Sequence, residues 1–189
     1  MLIDNALRDF VDAFHKSKNS LGIMDYTPNE QDNSSINFSL NGEVSYFYSH
    51  LILKDGPTFG GDFFLQFIEK EKSDAIQEGW RVTGETPDWN ENYIIIADRN
   101  GDALFCDLSD KKSPVFGSVQ KEIYSLSGTL SEFLNVYSKL IKIEEEEFLD
   151  ETTDDNLDYK SEYLSRIEAE LNKNISSKFT DDFMYFFFG

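Results

Sequence analysis

The segment DRNGD carries the residue types of a metal site, because Asp98, Asn100 and Asp102 alternate with two other residues. Oxygen ligands at alternate positions open a calcium loop of the EF-hand kind, which also needs a glycine at the sixth position and a glutamate at the twelfth. Here those positions hold Ala103 and Ser109. The spacing therefore argues against calcium, and we predict no metal site.

The same segment suits a tight turn between two strands. Asn100 and Gly101 tolerate the positive φ angles of a two-residue hairpin turn, and apolar runs, YIIIA and ALFC, flank them. In this register Arg99 faces Asp102, and Ile96 faces Phe105. Both runs are apolar throughout, as in central strands covered on both faces.

Nucleophile and cofactor motifs are missing from the sequence. Cys106 is the single cysteine, so it forms no internal disulfide, and with only His15 and His50 it builds no zinc cluster of ordinary spacing. We expect it in the core as a small hydrophobe. Gly60-Gly61 lacks the flanking residues of a phosphate loop. We therefore predict no cofactor.

A pair of carboxylates across a cleft would suit a hydrolase acting on carbohydrate. Asp62, Glu85, Asp88 and Asp98 are candidates. Their spacing does not distinguish them from the other acidic residues of the chain, which are expected on the solvated surface. A carboxylate-based hydrolase is therefore kept as an alternative hypothesis.

Charge restricts the kinds of partner. The chain has 17 Lys and Arg against 36 Asp and Glu, a net charge of −19. Such a protein repels nucleic acid and anionic membranes and attracts basic partners. No apolar run reaches the roughly 18 residues of a membrane-spanning helix, and we expect a cytoplasmic protein.

Periodicity predicts the elements that surround the central hairpin. A first helix is expected from Asp4 to about Asn19–Gly22. A second is expected over Leu130 to Ile141, with Thr129 or Ser127 as its cap, and a third from Ser161 onward. A first hairpin is predicted around Asn41-Gly42, with Ile36, Phe38 and Leu40 in one strand and Val44, Tyr46 and Tyr48 in the other. FFLQFI is predicted as a strand, followed by a short helix through Ser73 to Gln77.

The chain divides into a domain at 1–143 and an appendage at 144–189, which holds −10 of the net charge. The appendage begins with EEEEFLDETTDDNLD, where a solvated helix end or a linker is expected. It ends with the aromatic FTDDFMYFFFG, which would be a large apolar patch if exposed. We expect that tail to dock on the main domain as a strand or a helix.

The region from Gly79 to Leu140 resembles the SUKH superfamily of bacterial toxin-immunity proteins and fungal cell-wall glucan synthesis regulators. The resemblance rests on an ordered set: Gly79-Trp80 and Asp88-Trp89 in a loop, the strand YIIIAD, the Gly101-Asp102 turn, the strand ALFCDL, Pro114-Val115 and the helix LSEFL. The tail after residue 143 is outside the usual pattern.

The resemblance implies an α+β fold, with a mixed, mainly antiparallel sheet flanked by helices, and binding in place of catalysis. It implies a cognate toxin, with a basic surface if the toxin is a nuclease. A cell-envelope or signalling adaptor is a further alternative. As partner-binding residues we predict Trp80, Asp88, Trp89 and Glu91 as anchors, and Glu144, Glu145, Glu146 and Glu147 for long-range steering.

Overall fold

The computed structural model describes residues 3–32, 39–80 and 89–189 of the chain. Within those residues there are seven strands: β1 (Leu21–Tyr26), β2 (Leu51–Phe59), β3 (Leu65–Phe67), β4 (Tyr93–Arg99), β5 (Asp102–Asp107), β6 (Val115–Val119) and β7 (Glu122–Ser127). The α-helices are α1 (Ile3–Lys16), α2 (Gly42–His50), α3 (Ser73–Trp80), α4 (Leu130–Lys142), α5 (Ser161–Asn174) and α6 (Thr180–Phe188). A short π-helix, Ile143–Glu147, directly continues α4.

The strands form one sheet in which spatial order follows sequence order, from β1 at one edge to β7 at the other. Every pair of neighbouring named strands in the described residues is antiparallel. The predicted α+β class with a mainly antiparallel sheet and flanking helices is therefore confirmed.

One face of the sheet carries the main core. Alternate residues of the central strands, such as Ile94, Leu104 and Cys106, are fully buried there against side chains of α1, α4 and α6. Cys106 is the small buried hydrophobe that the sequence predicts. None of the helices in the described ranges is long and apolar enough to cross a bilayer.

The opposite face of the sheet carries a smaller apolar layer. Ile95 and Phe105 point to that face, and Ile76 of α3 packs on them. The predicted strand in FFLQFI is present as β3, and the short helix that follows it is α3. Both faces of the β4–β5 hairpin are therefore covered, as its apolar runs predict.

The central hairpin has the predicted turn. Asn100 (φ 54°) and Gly101 (φ 96°) occupy its two central positions, and Arg99 pairs with Asp102. The predicted pairing of Ile96 with Phe105 is wrong by one residue, because the register shifts between Ile95 and Ala97 and Phe105 pairs with Ile95. A β-bulge of this kind adds one residue to a single strand.

The first predicted hairpin is wrong where the structure describes it. Residues Gly42–His50 form α2 instead of a strand, while Ile36 and Phe38 lie outside the described residues. Gly42 does have a positive φ of 57°, but it lies against the backbone of Lys111, where a Cβ would clash, and Glu43 N–H donates to the Lys111 carbonyl at 3.0 Å. This long-range contact favours the helix.

Several other elements follow their predictions. Thr129 caps α4, since its hydroxyl accepts a hydrogen bond from the Glu132 amide at 3.0 Å. α5 begins at Ser161, as predicted, and the aromatic tail docks as a helix, α6. α1 ends at Lys16, earlier than predicted, and the sequence reasoning missed edge strand β1 and strand β7.

The docking of α6 depends on the absence of a side chain at Gly117 in β6. A Cβ there would lie 2.3 Å from the ring of Phe186, which is 1% exposed. We predict that Gly117→Ala lowers the free energy of unfolding by about 1–3 kcal/mol, as overpacking does. Urea denaturation measures this change.

Gly128→Ala is the matched control, because its Cβ would meet nothing closer than 3.3 Å, at the end of the Glu132 side chain. It should change the free energy of unfolding by less than about 0.5 kcal/mol. Equal effects of the two substitutions would contradict the packing of α6 on β6.

Candidate binding site

The two predicted tryptophan anchors lie together on the face of the sheet opposite α4. Trp80 ends α3 and Trp89 precedes β4, and their ring centroids are 5.1 Å apart. The Trp89 ring also packs on Phe105 at 4.9 Å and on Tyr93 at 5.5 Å. Both tryptophans are half-buried, so they cover the smaller apolar layer and present only part of their surface.

Of the two polar residues predicted beside these tryptophans, the structure describes Glu91. Glu91 is exposed in the turn before β4. Asp88 lies outside the described residues, as does Glu85. Trp89 Nε1 is buried and has no hydrogen-bond acceptor in the described part of the chain.

The predicted steering residues Glu144 to Glu147 form a helix end, the π-helix that continues α4, but that end is not fully solvated as expected. Glu144 is 2% exposed and belongs to the interior. Glu145 accepts hydrogen bonds from the Ser17 hydroxyl at 2.6 Å and the Lys18 amide at 3.3 Å. Both of these acids therefore hold the segment against the rest of the protein.

Glu147 also has a structural partner, whereas Glu146 faces solvent. The guanidinium of Arg166 in α5 donates from both Nε and Nη2 to the Glu147 carboxylate, each at 2.9 Å. The same guanidinium donates to Glu170 at 3.0 Å. This fork-like pairing links the π-helix to α5.

The chain after the π-helix is an ordered sequence of turns. The Asp150 amide donates to the Glu144 carbonyl at 3.0 Å, and the Lys160 amide donates to the Thr152 carbonyl at 2.9 Å. The Asp154 carboxylate accepts from the amides of Asn156 and Asp158 at 2.8 and 3.1 Å. Glu144 to Asp158, named here the acidic segment, thus has a defined shape.

Two leucines of the acidic segment point into solvent. Leu149 is 65% exposed and Leu157 is 82% exposed. Both have left-handed backbones, with φ angles of 55° and 68°, a conformation that costs a leucine free energy. Sequence reasoning missed these residues, because a leucine among acids gives no sign of its exposure.

The structure does not bring the two predicted sets together. The tryptophans belong to the layer beneath α3, whereas the acidic segment continues α4 on the other face of the sheet. A partner contacting both would have to reach around the sheet. The acidic segment and the tryptophan pair are therefore separate candidate surfaces.

The hydrolase candidates do not form an open pair in the described residues. Asp98 accepts from the Gly101 amide at 3.2 Å and so shapes the hairpin turn. Asp62 lies beside Glu144, and burial raises the pKa of Glu144 to about 8. Because Glu144 is 2% exposed, a substrate has no access to it.

Asp4 forms a polar cluster that the sequence reasoning missed. Its Oδ1 accepts from the hydroxyls of Tyr26 at 2.6 Å and Tyr46 at 2.9 Å, and Arg8 Nε donates to its Oδ2 at 3.0 Å. Hydrogen bonds from Tyr26, Arg8 and Tyr46 lower the pKa of Asp4 to about 2. The cluster joins α1 to β1 and α2, and spacing along the sequence gives no signal of it.

No group of three or more His, Cys, Asp or Glu side chains suited to a metal ion occurs in residues 3–32, 39–80 and 89–189. Comparison with protein-family models, with curated proteins and with solved structures found no match to this chain. The resemblance to the SUKH superfamily therefore stays a prediction.

The Asp4 cluster predicts a defined pH dependence. Because the folded protein lowers this pKa, Asp4 contributes stability above about pH 4, and that contribution is lost as the pH falls through about 2. Asp4→Asn should lower the urea midpoint at pH 7 and leave it close to that of the wild type at pH 2. Asp9→Asn, on the same helix and exposed, should leave the midpoint unchanged. A loss in Asp4→Asn that is equal at both pH values would contradict this role.

Proposed function

We propose that this chain is a non-catalytic interaction protein of the immunity kind, which binds and neutralises a cognate toxin with a basic surface. The observation that carries the proposal is the pair of exposed leucines held among carboxylates in the acidic segment. The net charge of −19 and the SUKH-like order of motifs support the same class.

Leu149 and Leu157 have the properties of binding anchors. Most of each side chain is in water, and each backbone has a conformation that glycine adopts at lower cost. Their side chains therefore contribute little to the stability of the isolated fold. In a complex, each would remove apolar surface from water at roughly 25 cal/mol per Å².

The surroundings of the leucines select the chemistry of the partner. The acidic segment contains nine acids and no Lys or Arg. Its exposed acids, Glu146, Glu151 and Asp155 among them, favour a surface rich in Lys and Arg. A nuclease must present such a surface to phosphates, so an acidic protein can associate rapidly and cover it.

The turns of the acidic segment reduce the cost of binding. The backbone hydrogen bonds and the Arg166–Glu147 pair hold the leucines in place before a partner arrives. A pre-ordered loop loses less conformational entropy on association than a free tail. This distinguishes the proposed surface from a purely electrostatic tether.

The test is co-expression with each toxin encoded beside this protein, scored by growth. The wild type should rescue growth against one of them, and the double variant Leu149→Gly/Leu157→Gly should bind that toxin at least about tenfold more weakly. Because glycine suits the left-handed backbone, the free energy of unfolding should not fall by more than about 1 kcal/mol.

Ile123→Ser is the matched control, since Ile123 is an exposed apolar residue (43%) in β7, away from the acidic segment. It should keep full rescue. Full rescue by the double glycine variant would contradict the leucine surface, and a wild type that protects against no neighbouring toxin would contradict the immunity function. Capture of envelope or signalling proteins in that case would favour the adaptor alternative.

A further inference from the structure

The Glu144 side chain fastens the acidic segment to the loop between β2 and β3. Its Oε1 accepts a hydrogen bond from the Asp62 amide at 2.8 Å. The neighbouring residue, Gly61, leaves room for this approach, because a Cβ there would lie 2.1 Å from Glu144 Oε1. The carboxyl group is therefore held against the backbone of the loop.

Three oxygen atoms at this junction are buried without a hydrogen-bond partner in the described residues: Glu144 Oε2, Asp62 Oδ2 and Tyr163 Oη. Glu144 is 2% exposed and Tyr163 is 0% exposed. The Tyr159 hydroxyl donates to the other Asp62 oxygen at 3.3 Å. Unpaired buried polar atoms are destabilising, and more so when they are charged. The Tyr163 hydroxyl carries a hydrogen that it can donate to Asp62, whereas Glu144 Oε2 is left as an acceptor without a donor.

The chain supplies little positive charge here. No Lys or Arg in the described ranges makes an ion pair with Asp62 or Glu144. Lys18 pairs with Asp150 at 2.7 Å, and Arg99 Nη2 donates to the Phe187 carbonyl at 2.6 Å.

The remaining titratable neighbours are acidic or phenolic and do not offset the charge. They are Asp62 from the β2–β3 loop, Tyr137 from α4, Glu145 and Asp150 from the acidic segment, Tyr159 from the turn before α5, and Tyr163 from α5.

We propose that the Glu144 carboxyl group keeps its proton in the folded protein, and that this proton fastens the acidic segment to the β2–β3 loop. If Glu144 were ionised, its buried carboxylate would lie close to Asp62 with no Lys or Arg paired to it. The proton removes that charge and gives Glu144 Oε2 a hydrogen to donate. Loss of the proton to solvent restores the buried charge and loosens the contact with the loop.

The Glu144 proton sets the direction of a pH effect. The folded pKa of Glu144, about 8, lies above its ordinary value of 4.5, so the folded state binds more protons than the unfolded state between these values. Stability is therefore fully present below about pH 4.5 and is lost as the pH rises to about 8. The folding equilibrium constant should fall by up to about tenfold per pH unit in this window from this group.

The test compares urea denaturation of the wild type and of Glu144→Gln at pH 6 and pH 8. A glutamine amide can accept from the Asp62 N–H and carries no charge, as the protonated carboxyl group does. Over these two units the folding equilibrium constant of the wild type should fall about 50-fold more than that of Glu144→Gln. Glu146→Gln, an exposed residue of the same π-helix, should fall as the wild type does.

A carbon-13 NMR titration of the side-chain carboxyl groups gives a second readout on the wild type, and it needs no variant to fold. Glu144 should titrate well above the exposed glutamates. Equal pH dependence in wild type and Glu144→Gln, or titration of Glu144 near 4.5, would overturn the proposal. If Glu144→Gln does not fold, the NMR titration of the wild type decides on its own.

Discussion

The side chain of Tyr137 joins the helical layer to the sheet, and most of the fold is arranged around it. Its ring lies 5.3 Å from that of Phe59 in β2 and 5.6 Å from that of Phe133 in α4. It also contacts Phe10 of α1 and Phe187 of α6, each at 6.2 Å. Its hydroxyl donates to the Phe63 carbonyl at 2.5 Å, so the one polar atom of this buried side chain is satisfied.

This contact fixes where the acidic segment leaves the fold. Because Tyr137 holds α4 on the sheet, the next turns of the same helical path place Glu144 beside the β2–β3 loop. The segment then turns outward with Leu149 and Leu157 exposed. A segment with this many charges would be a flexible tail if it made no contacts with the fold. Here it is attached, through α4, to the most buried part of the protein. We regard this rigid attachment as the basis of the proposed binding surface.

The sequence correctly predicts elements whose signals are local. The prediction is wrong where a contact with a residue distant in the sequence determines the secondary structure. The Asn100-Gly101 turn and the α4 stripe with its Thr129 cap are local, and both are confirmed. At Asn41-Gly42 the alternation of apolar residues favoured a hairpin, although Val44, Phe47 and Tyr48 also fit a helix; contact with Lys111 favours the helix.

The burial of Glu144 could have been predicted from the sequence. Glu144 stands three residues after Ile141 and four after Leu140, so it continues the apolar stripe of α4. The Asp4 cluster and the exposure of the two leucines had no such signal. They depend on tertiary contacts and on left-handed backbones that composition does not encode.

The central claim is that the acidic segment is an ordered part of the fold and not a free linker. Hydrogen-exchange mass spectrometry of the free protein tests it without any partner. Amides of residues 144–160 that donate to carbonyls, such as those of Phe148, Asp150 and Lys160, should exchange far more slowly than in an unstructured chain. Exchange of this whole region at the rate of an unstructured peptide, while α4 stays protected, would contradict the account.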